Sequence, residues 1–456
     1  MKNNSISQRL FIKGELTVLS PLVIGKGEDE HTDIDVIRDI NGLPFIPGTS
    51  LAGVFRHFLR TYLDDVNGDE HPIIKALFGK TGKDSTLSML MISDSQLQKD
   101  SGHHVAVRDG LKIDYLTKSV GKHKDKDDEA GGGAKYDYEV IEPGAVFNLK
   151  IELIIRENHP GIDEIYDSTA FILKHLEAGS LRVGAKTSRG MGQIQLKNIN
   201  IMKLDMKNKK DAETWIDFDW QQWNFEPNIT LAGMATNKLT FISPDHFTIS
   251  TIFCIPYSIL IRHYNSDPAA DDTTHLRSNG RYVIPGTSWN GALRHAIHSQ
   301  LDQLKVNQKK IDEIMDKMFG TVDPQKKTAF ASRVTIEESI IEEEQAMSYT
   351  RNKVDRFTGG VVDSALFTEK PVYRGSVSLN LTLKNPKDWE KGILLLALKD
   401  IANGIQPVGG AANVGRGILQ ADFKNIKVNG IPLATESERT YFQSLCSYLK
   451  NGETNG

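Results

Sequence analysis

Residues 10–19 (LFIKGELTVL) alternate apolar and polar side chains, the two-residue period of a half-buried strand, and residues 146–155 (VFNLKIELII) do so again. Residues 166–179 (YDSTAFILKHLEAG) and 386–404 (PKDWEKGILLLALKDIANG) carry helical spacing and end at glycine. A third pattern occurs twice. In FIPGTSLAGVFRH (45–57) and VIPGTSWNGALRH (283–295), Pro-Gly makes a turn and Thr-Ser offers a hydroxyl cap, which predicts helices from about Ser50 and Ser288. On the first helix Leu51, Val54, Phe55, Phe58 and Leu59 form one apolar stripe, with Gly53, Arg56, His57 and Arg60 opposite. On the second, Trp289, Ala292, Leu293, Ala296 and Ile297 face inward, and Gly291, Arg294, His295 and His298 face out.

The recurrence extends along the chain in constant order. LTVLSP (16–21) returns as LTFISP (239–244), LFG (77–79) as MFG (318–320), and VGAKTSRGMGQIQLKNI (183–199) as GGAANVGRGILQADFKNI (409–426). Spacing between copies drifts, as loop insertions would cause. The expected organisation is a first module over 1–204, a linker over 205–231 holding Trp215, Trp220 and Trp223, a second module over 232–430, and a C-terminal helix and tail over 431–456. The tryptophans are expected to pack the linker onto a module. Strand, loop, helix, strand, hairpin, helix, strand in each copy predicts α+β modules with a ferredoxin-like antiparallel sheet.

A chain of 456 residues exceeds one ordinary core, in keeping with two modules. With 39% hydrophobic and 25% charged residues it has the composition of a soluble globular protein. Its first residues lack the apolar run of a secretion signal, and no stretch reaches the roughly 20 apolar residues of a membrane span, so a cytoplasmic protein is expected. Two cysteines exclude a disulfide framework and a cysteine-based zinc site. A net charge of −4 gives no global pull on nucleic acid, so RNA binding would rest on local cations.

Such cations sit on the PGTS helices. Helix N-terminal N–H groups, a bare glycine and then arginine are the parts of a surface that tracks phosphates. The late loops GAKTSRGMG (184–192) and GAANVGRG (410–417) lack the sequence of a Walker or dinucleotide loop. They read either as structural turns or as phosphate cradles, Lys186, Ser188 and Arg189 making the first more basic and Arg416 remaining in the second.

PGTS-x-x-G-x-x-R after an N-terminal strand, followed by a glycine-rich late loop, resembles the RAMP superfamily (repeat-associated mysterious proteins). More narrowly the chain resembles backbone subunits of type III CRISPR effector complexes, fused in tandem as in type III-D. Segments 107–114 with 134–144, and 351–360 with 365–375, resemble the thumb hairpin that such subunits lay across a guide–target duplex. The resemblance implies RRM-like modules that bind guide RNA, thumbs that flip a nucleotide (Lys112 and Tyr115 in the first, Lys353 and Phe357 in the second), and partners among the other effector subunits. It also implies an aspartate before the PGTS helix that cuts target RNA with Mg²⁺ or another divalent cation. Asp33 matches best, with Asp35 the near alternative. The same distance before the second PGTS proline falls on Asp271, with Asp272 beside it. A carboxylate there can hold the cation or take a proton from a 2′-hydroxyl for in-line attack.

The first thumb's insertion, residues 120–134, reads as a charged loop without metal-ligand spacing. Two other functions stay open: the same architecture as a non-catalytic guide-RNA scaffold, and a guide-processing endonuclease using His57 or His295.

Overall fold

The computed structural model describes residues 5–25, 34–65, 69–80, 82, 85–98, 105–111, 135–157, 159–223, 226–264, 271–323 and 328–450. Two compact units emerge. One holds residues 1–106, 139–187 and 192–244; the other holds 107–138, 188–191 and 245–456.

In the first unit β1 (Ile6–Val18) is central. It pairs antiparallel with β5 (Val146–Arg156) on one side and β6 (Gln193–Asp205) on the other, and β2 (Leu90–Ile92) extends the sheet beyond β5. β3 (Val105–Leu111) and β4 (Lys135–Ile141) pair as a separate two-stranded sheet, most of whose residues belong to the second unit. The order β2-β5-β1-β6 is the ferredoxin-like arrangement the element pattern predicts, with α1 (Gly48–Tyr62) and α3 (Ile162–Glu177) in the crossovers. Alternation along β1 decides its two faces. Leu10, Ile12 and Leu16 join the helices in the main core, while Phe11 points to the other side with Met202 and Leu204. That second face is covered by the linker aromatics Phe218, Trp220 and Trp223, and Arg9 stacks 4.5 Å over Trp215. The expected linker packing is therefore present.

The second unit repeats the plan with β7 (His246–Cys254) against β11 (Ser376–Lys384), α4 (Gly286–Gln303) and α6 (Asp388–Ala402). β8 (Val334–Ile336) also pairs with β11. A long thumb hairpin consists of β9 (Tyr349–Val354) and β10 (Val361–Lys370). LFG and MFG are true counterparts: each closes a helix, α2 (Pro72–Phe78) or α5 (Gln308–Phe319), with a glycine, Gly79 at φ 77° and Gly320 at φ 75°, whose missing Cβ would strike Thr86 O or Phe330 O.

Four expectations change. LTFISP does not open the second copy: residues 239–244 form no strand, and Phe241 stacks on Phe171 of α3, 3.8 Å between centroids. The second copy's first strand is β7 instead. The PGTS helices start at Gly48 and Gly286, two residues early, with Pro47 and Pro285 in the cap position and no side-chain cap bond. Asp94 Oδ1 accepts from Gly48 N at 2.8 Å, so a residue outside the word does the capping in the first copy. His298 is buried, at 8% exposure, rather than outward. Finally, the glycine loop leads into the long β6 in the first copy, whereas the second ends in only Lys427–Val428 beside β7.

Candidate nucleic-acid interface

Both PGTS helices bury the stripe their spacing predicts: Leu51, Phe55 and Leu59 in α1; Trp289, Ala292, Leu293, Ala296 and Ile297 in α4. The outer faces show Gly53, His57 and Arg60 in the first and Gly291 and Arg294 in the second, with Ser50, Arg56, Ser288 and His295 half-buried. A Cβ at Gly53 or Gly291 would meet no described atom within 4 Å. Neither glycine is demanded by packing or by its φ, although glycine inside a helix costs about 0.5–1 kcal/mol relative to alanine.

The arginines differ. Arg56 donates to Glu70 through Nε at 2.9 Å and Nη2 at 2.5 Å, and Arg60 Nε lies 3.7 Å from the same carboxylate. The hydrogen bond to Arg56 holds the Glu70 carboxyl below its ordinary range and raises the arginine correspondingly. Arg294 lies 5.3 Å from the Phe319 ring centre, and among the described residues no carboxylate is within ion-pair reach of it. Desolvation first, then the positive charge of Arg189, pulls its pKa below the usual arginine value, against the opposing charge of Asp316. Arg189 is itself exposed. It belongs to the late loop of the first copy, whose residues 188–191 fold as part of the second unit. One copy's glycine loop and the other copy's PGTS helix thus place two like charges together.

Glycine geometry gives the register of the two late loops. Gly184, Gly190 and Gly192 have φ 85°, 82° and 77°; Gly409, Gly415 and Gly417 have 92°, 82° and 76°. Lys186 (φ 56°) corresponds to Ala411 (φ 58°), Arg189 to Val414, and Met191 to Arg416. Arg416 is consequently no RNA ligand. It is 2% exposed, donates to Glu369 at 2.7 Å, and desolvation lowers its pKa. Aligning on the glycines rather than on the arginines would have revealed this. Lys186 and Ser188 remain half-buried in the first loop.

Of the candidate carboxylates, Asp33 lies outside the described residues, as do Lys112, Tyr115 and the 120–134 insertion. Asp35 is 5% exposed, which removes it from contact with a phosphate. Strand register aligns the two acidic loops. Val36 bridges Gly25 and Ile37 N donates to Ile24 O; His275 pairs with Arg262 and Leu276 N donates to Ile261 O. Val36 and His275 are therefore equivalent, and the same count of three residues back in sequence makes Asp272, rather than Asp271, the counterpart of Asp33. One residue fewer between His275 and the second PGTS word explains the shift. Asp272 Oδ2 accepts from Thr368 N at 2.7 Å, and Asp271 Oδ2 from Ser348 Oγ at 2.7 Å, tying both to the root of the thumb. His275 below them is 1% exposed and structural: Nε2 donates to Val283 O at 2.9 Å and Nδ1 accepts from Ile261 N at 3.3 Å. Burial drives its pKa down to about 4, so it stays neutral.

At the thumb tip Asp355 Oδ1 accepts from Phe357 N, Thr358 N and Thr358 Oγ1, fixing a turn that leaves Phe357 97% exposed. Lys353 is also exposed. No group of three or more His, Cys, Asp or Glu residues able to hold a metal occurs among the described residues. Asp271 and Asp272 nevertheless each keep Oδ1 free of hydrogen bonds among the described residues, and Mg²⁺ completes its shell with waters and substrate phosphate when few carboxylates are present.

The sequence profile of the RAMP superfamily matches residues 15–195 and 238–420, one match to each copy and together most of the chain. No curated protein matches it. No helix among the described residues is long and apolar enough to cross a membrane.

Proposed function

Because the chain belongs to the RAMP superfamily, with one module in each half, we propose that it is a CRISPR-associated subunit that binds guide RNA and cuts complementary target RNA. Its place would be as a fused backbone subunit of a type III effector complex, type III-D being the nearest pattern. The carrying observation is the pair Arg189 and Arg294. Desolvation and the positive charge of Arg189 act on Arg294, only partly offset by Asp316, beside a helix N-terminus and the open Gly291, an arrangement that favours an anion at the two guanidinium groups. A phosphodiester backbone is such an anion, and the bare glycine lets it approach. Phe357, exposed at the thumb tip, offers a face on which a base can stack.

In the proposed cleavage a target 2′-hydroxyl attacks the adjacent phosphorus in line, the P–O5′ bond breaks, and a 2′,3′-cyclic phosphate and a 5′-hydroxyl remain. Asp33 and Asp272 would take the hydroxyl proton or hold a divalent cation through a free carboxylate oxygen. That cation would neutralise charge developing on the phosphate. The hydrogen bonds from Thr368 orient Asp272 whether or not it cuts, so they serve a scaffold role of the second module equally well.

One experiment separates these readings: cleavage of an end-labelled complementary RNA by the reconstituted ribonucleoprotein, with Mg²⁺ or EDTA, for wild type, Asp33→Ala, Asp271→Ala and Asp272→Ala. Loss of one product band with Asp33→Ala and another with Asp272→Ala, with guide still bound, supports two nuclease sites. Unchanged cutting in the Asp33/Asp272 double variant leaves a scaffold. RNA affinity is tested separately with Arg189→Ala/Arg294→Ala, which is expected to lessen the salt slope of binding by about 1.4 for two lost phosphate contacts on a single strand. An unchanged slope overturns the assignment of these arginines.

A further inference from the structure

The late loop of the second copy carries no free cation of its own: Ala411 stands where the first has Lys186, Val414 where it has Arg189, and Arg416 is buried on Glu369. Backbone register shows where a replacement lies. Ala185 N donates to Val23 O at 2.8 Å in the first copy and Gly410 N to Leu260 O at 2.8 Å in the second, so Ala185 corresponds to Gly410 and Val23 to Leu260. Two residues further on, Gly25 bridges Val36 and Arg262 pairs with His275, which makes Gly25 and Arg262 counterparts. Three positions therefore change in concert. Where the first copy has Gly25 beside the loop and Ala185-Lys186 within it, the second has Arg262 beside the loop and Gly410-Ala411 within it.

Packing makes the exchange reciprocal. A Cβ on Gly410 would lie 3.3 Å from Arg262 Nε and 3.4 Å from its Cγ, so the arginine stem runs across the bare glycine. In the first copy Ala185 supplies that methyl group, and the residue facing it, Gly25, has no side chain to crowd. Arg262 is exposed, and among the described residues its guanidinium has no hydrogen bond and no carboxylate partner. Its charge is felt in the buried cluster below: desolvation first, and then Arg262, hold the Arg416 pKa under the ordinary arginine value. That cluster already has a positive surplus, because Arg416 at 2.7 Å and Arg351 at 3.4 Å share the one carboxylate of Glu369. A surplus of this kind favours an anion at the exposed member.

We propose that Arg262 is the phosphate ligand of the second late loop, making from the adjoining strand Arg262–Tyr264 the contact that Lys186 offers from within the first loop. This rests on the RNA-binding reading of the chain and adds that the cation changes side between the copies. Arginine offers a phosphodiester a planar fork where lysine offers a point charge, so the second contact is the more directional of the two.

Binding of a fluorescein-labelled single-stranded RNA to the purified full chain, titrated with KCl, tests this for wild type, Arg262→Ala, Arg262→Ala/Ala411→Lys and Arg189→Ala/Arg294→Ala. Arg262→Ala is expected to lessen the salt slope by about 0.7, one phosphate contact on a single strand, at the wild-type thermal midpoint. Ala411→Lys is expected to restore the slope in that background; Lys186 at φ 56° shows that lysine takes the conformation of Ala411, φ 58°. Gly410→Ala is expected to weaken binding in the wild type and to change nothing once Arg262 is replaced, the coupling of residues in contact. Should Arg262→Ala lower the midpoint, Arg262→Gln, which keeps the stem and drops the charge, takes its place. An unchanged slope for Arg262→Ala overturns the assignment, and a lessened slope for Arg189→Ala/Arg294→Ala beside it leaves the RNA-binding reading standing. A slope that Ala411→Lys leaves low overturns the exchange. A wild type that binds no RNA overturns both readings together.

Discussion

The helices α1 and α4 begin with the same Pro-Gly-Thr-Ser and carry glycine and arginine at the same places, yet present different charges. In α1 Glu70 neutralises Arg56 from the segment just before Pro72; in α4 Asp316 acts on Arg294 without a hydrogen bond or ion pair among the described residues, and Arg189 adds a second positive charge. The repeated word sets the helix, its buried stripe and the placement of the cation. Whether that cation is available to a ligand is set by residues outside the word. The same holds for the slot beneath the late loops, where strand register makes Tyr138 the counterpart of Glu369 and glycine register makes Met191 the counterpart of Arg416. One copy fills the slot with Tyr138, 3% exposed and its hydroxyl pushed up to about 12 by burial, near the Arg108–Glu338 ion pair. The other fills it with a buried ion pair, reinforced by Arg351 Nε at 3.4 Å.

Breaking that ion pair gives the largest expected effect. Arg416→Met leaves Glu369 buried with only the more distant Arg351, at a cost of about 3–5 kcal/mol in urea unfolding. Adding Glu369→Tyr imports the first copy's solution and is expected to recover most of the loss. If the double variant is no more stable than the single, the two slots are not interchangeable and the comparison fails.

A second difference is confined to the first unit. Asp167 of α3 is 5% exposed and accepts from the backbone N–H groups of Thr236, Asn237, Lys238 and Leu239, clamping residues 236–239. Desolvation pushes this carboxyl upward, but the four N–H donors together outweigh it and the net pKa is lowered. Its stabilising contribution is thus complete above the unfolded value of 3.8 and is lost as pH falls through the still lower folded value. Asp167→Asn is expected to cost about 2–3 kcal/mol at neutral pH and to flatten the acid limb of the stability profile. An unaltered acid limb would show that other carboxylates govern it.

Smaller still is the effect of making the two helices alike. Glu70→Gln frees Arg56, and RNA affinity is expected to rise about threefold, within the range of one exposed ion pair. Arg294→Ala is expected to weaken RNA binding more than Arg56→Ala does in the wild type, and the two losses should converge in the Glu70→Gln background. Equal losses in the wild type would mean that Glu70 releases Arg56 on binding RNA.

What could be read from the chain follows the range of the interactions concerned. Period-two alternation and helical stripes depend on neighbours a few residues apart, so the antiparallel sheet, the paired helices and the linker aromatics over β1 were legible. The cap was misread because Gly48 and Gly286 answer to Ile92 and Ile336, which lie far along the chain and press on the helix start. LTFISP was misread because its apolar residues serve the first core, Phe241 stacking on Phe171, so hydrophobicity alone could not say which module it belongs to. Asp272 stood as the alternative to Asp271 because a count from the PGTS proline ignores the residue gained or lost in a turn. Strand pairing does not.

The finest test concerns Gly53 and Gly291, the feature in which the copies agree. Each lies inside a helix, exposed, with room for a methyl group and no strained φ. For the fold alone alanine is the better residue at both places, by about 0.5–1 kcal/mol each. If an RNA backbone lies against this face, the same methyl groups intrude on the contact. Gly53→Ala and Gly291→Ala are therefore expected to raise the unfolding midpoint and weaken RNA binding at once, a pair of opposite signs that misfolding cannot produce. On the proposed RNA path Gly291→Ala should show the larger binding loss, because Arg189 and Arg294 would draw phosphate closest there. Raised stability with unchanged affinity at both sites would separate the glycines from the RNA path, and leave the arginine pair as its only support on this surface.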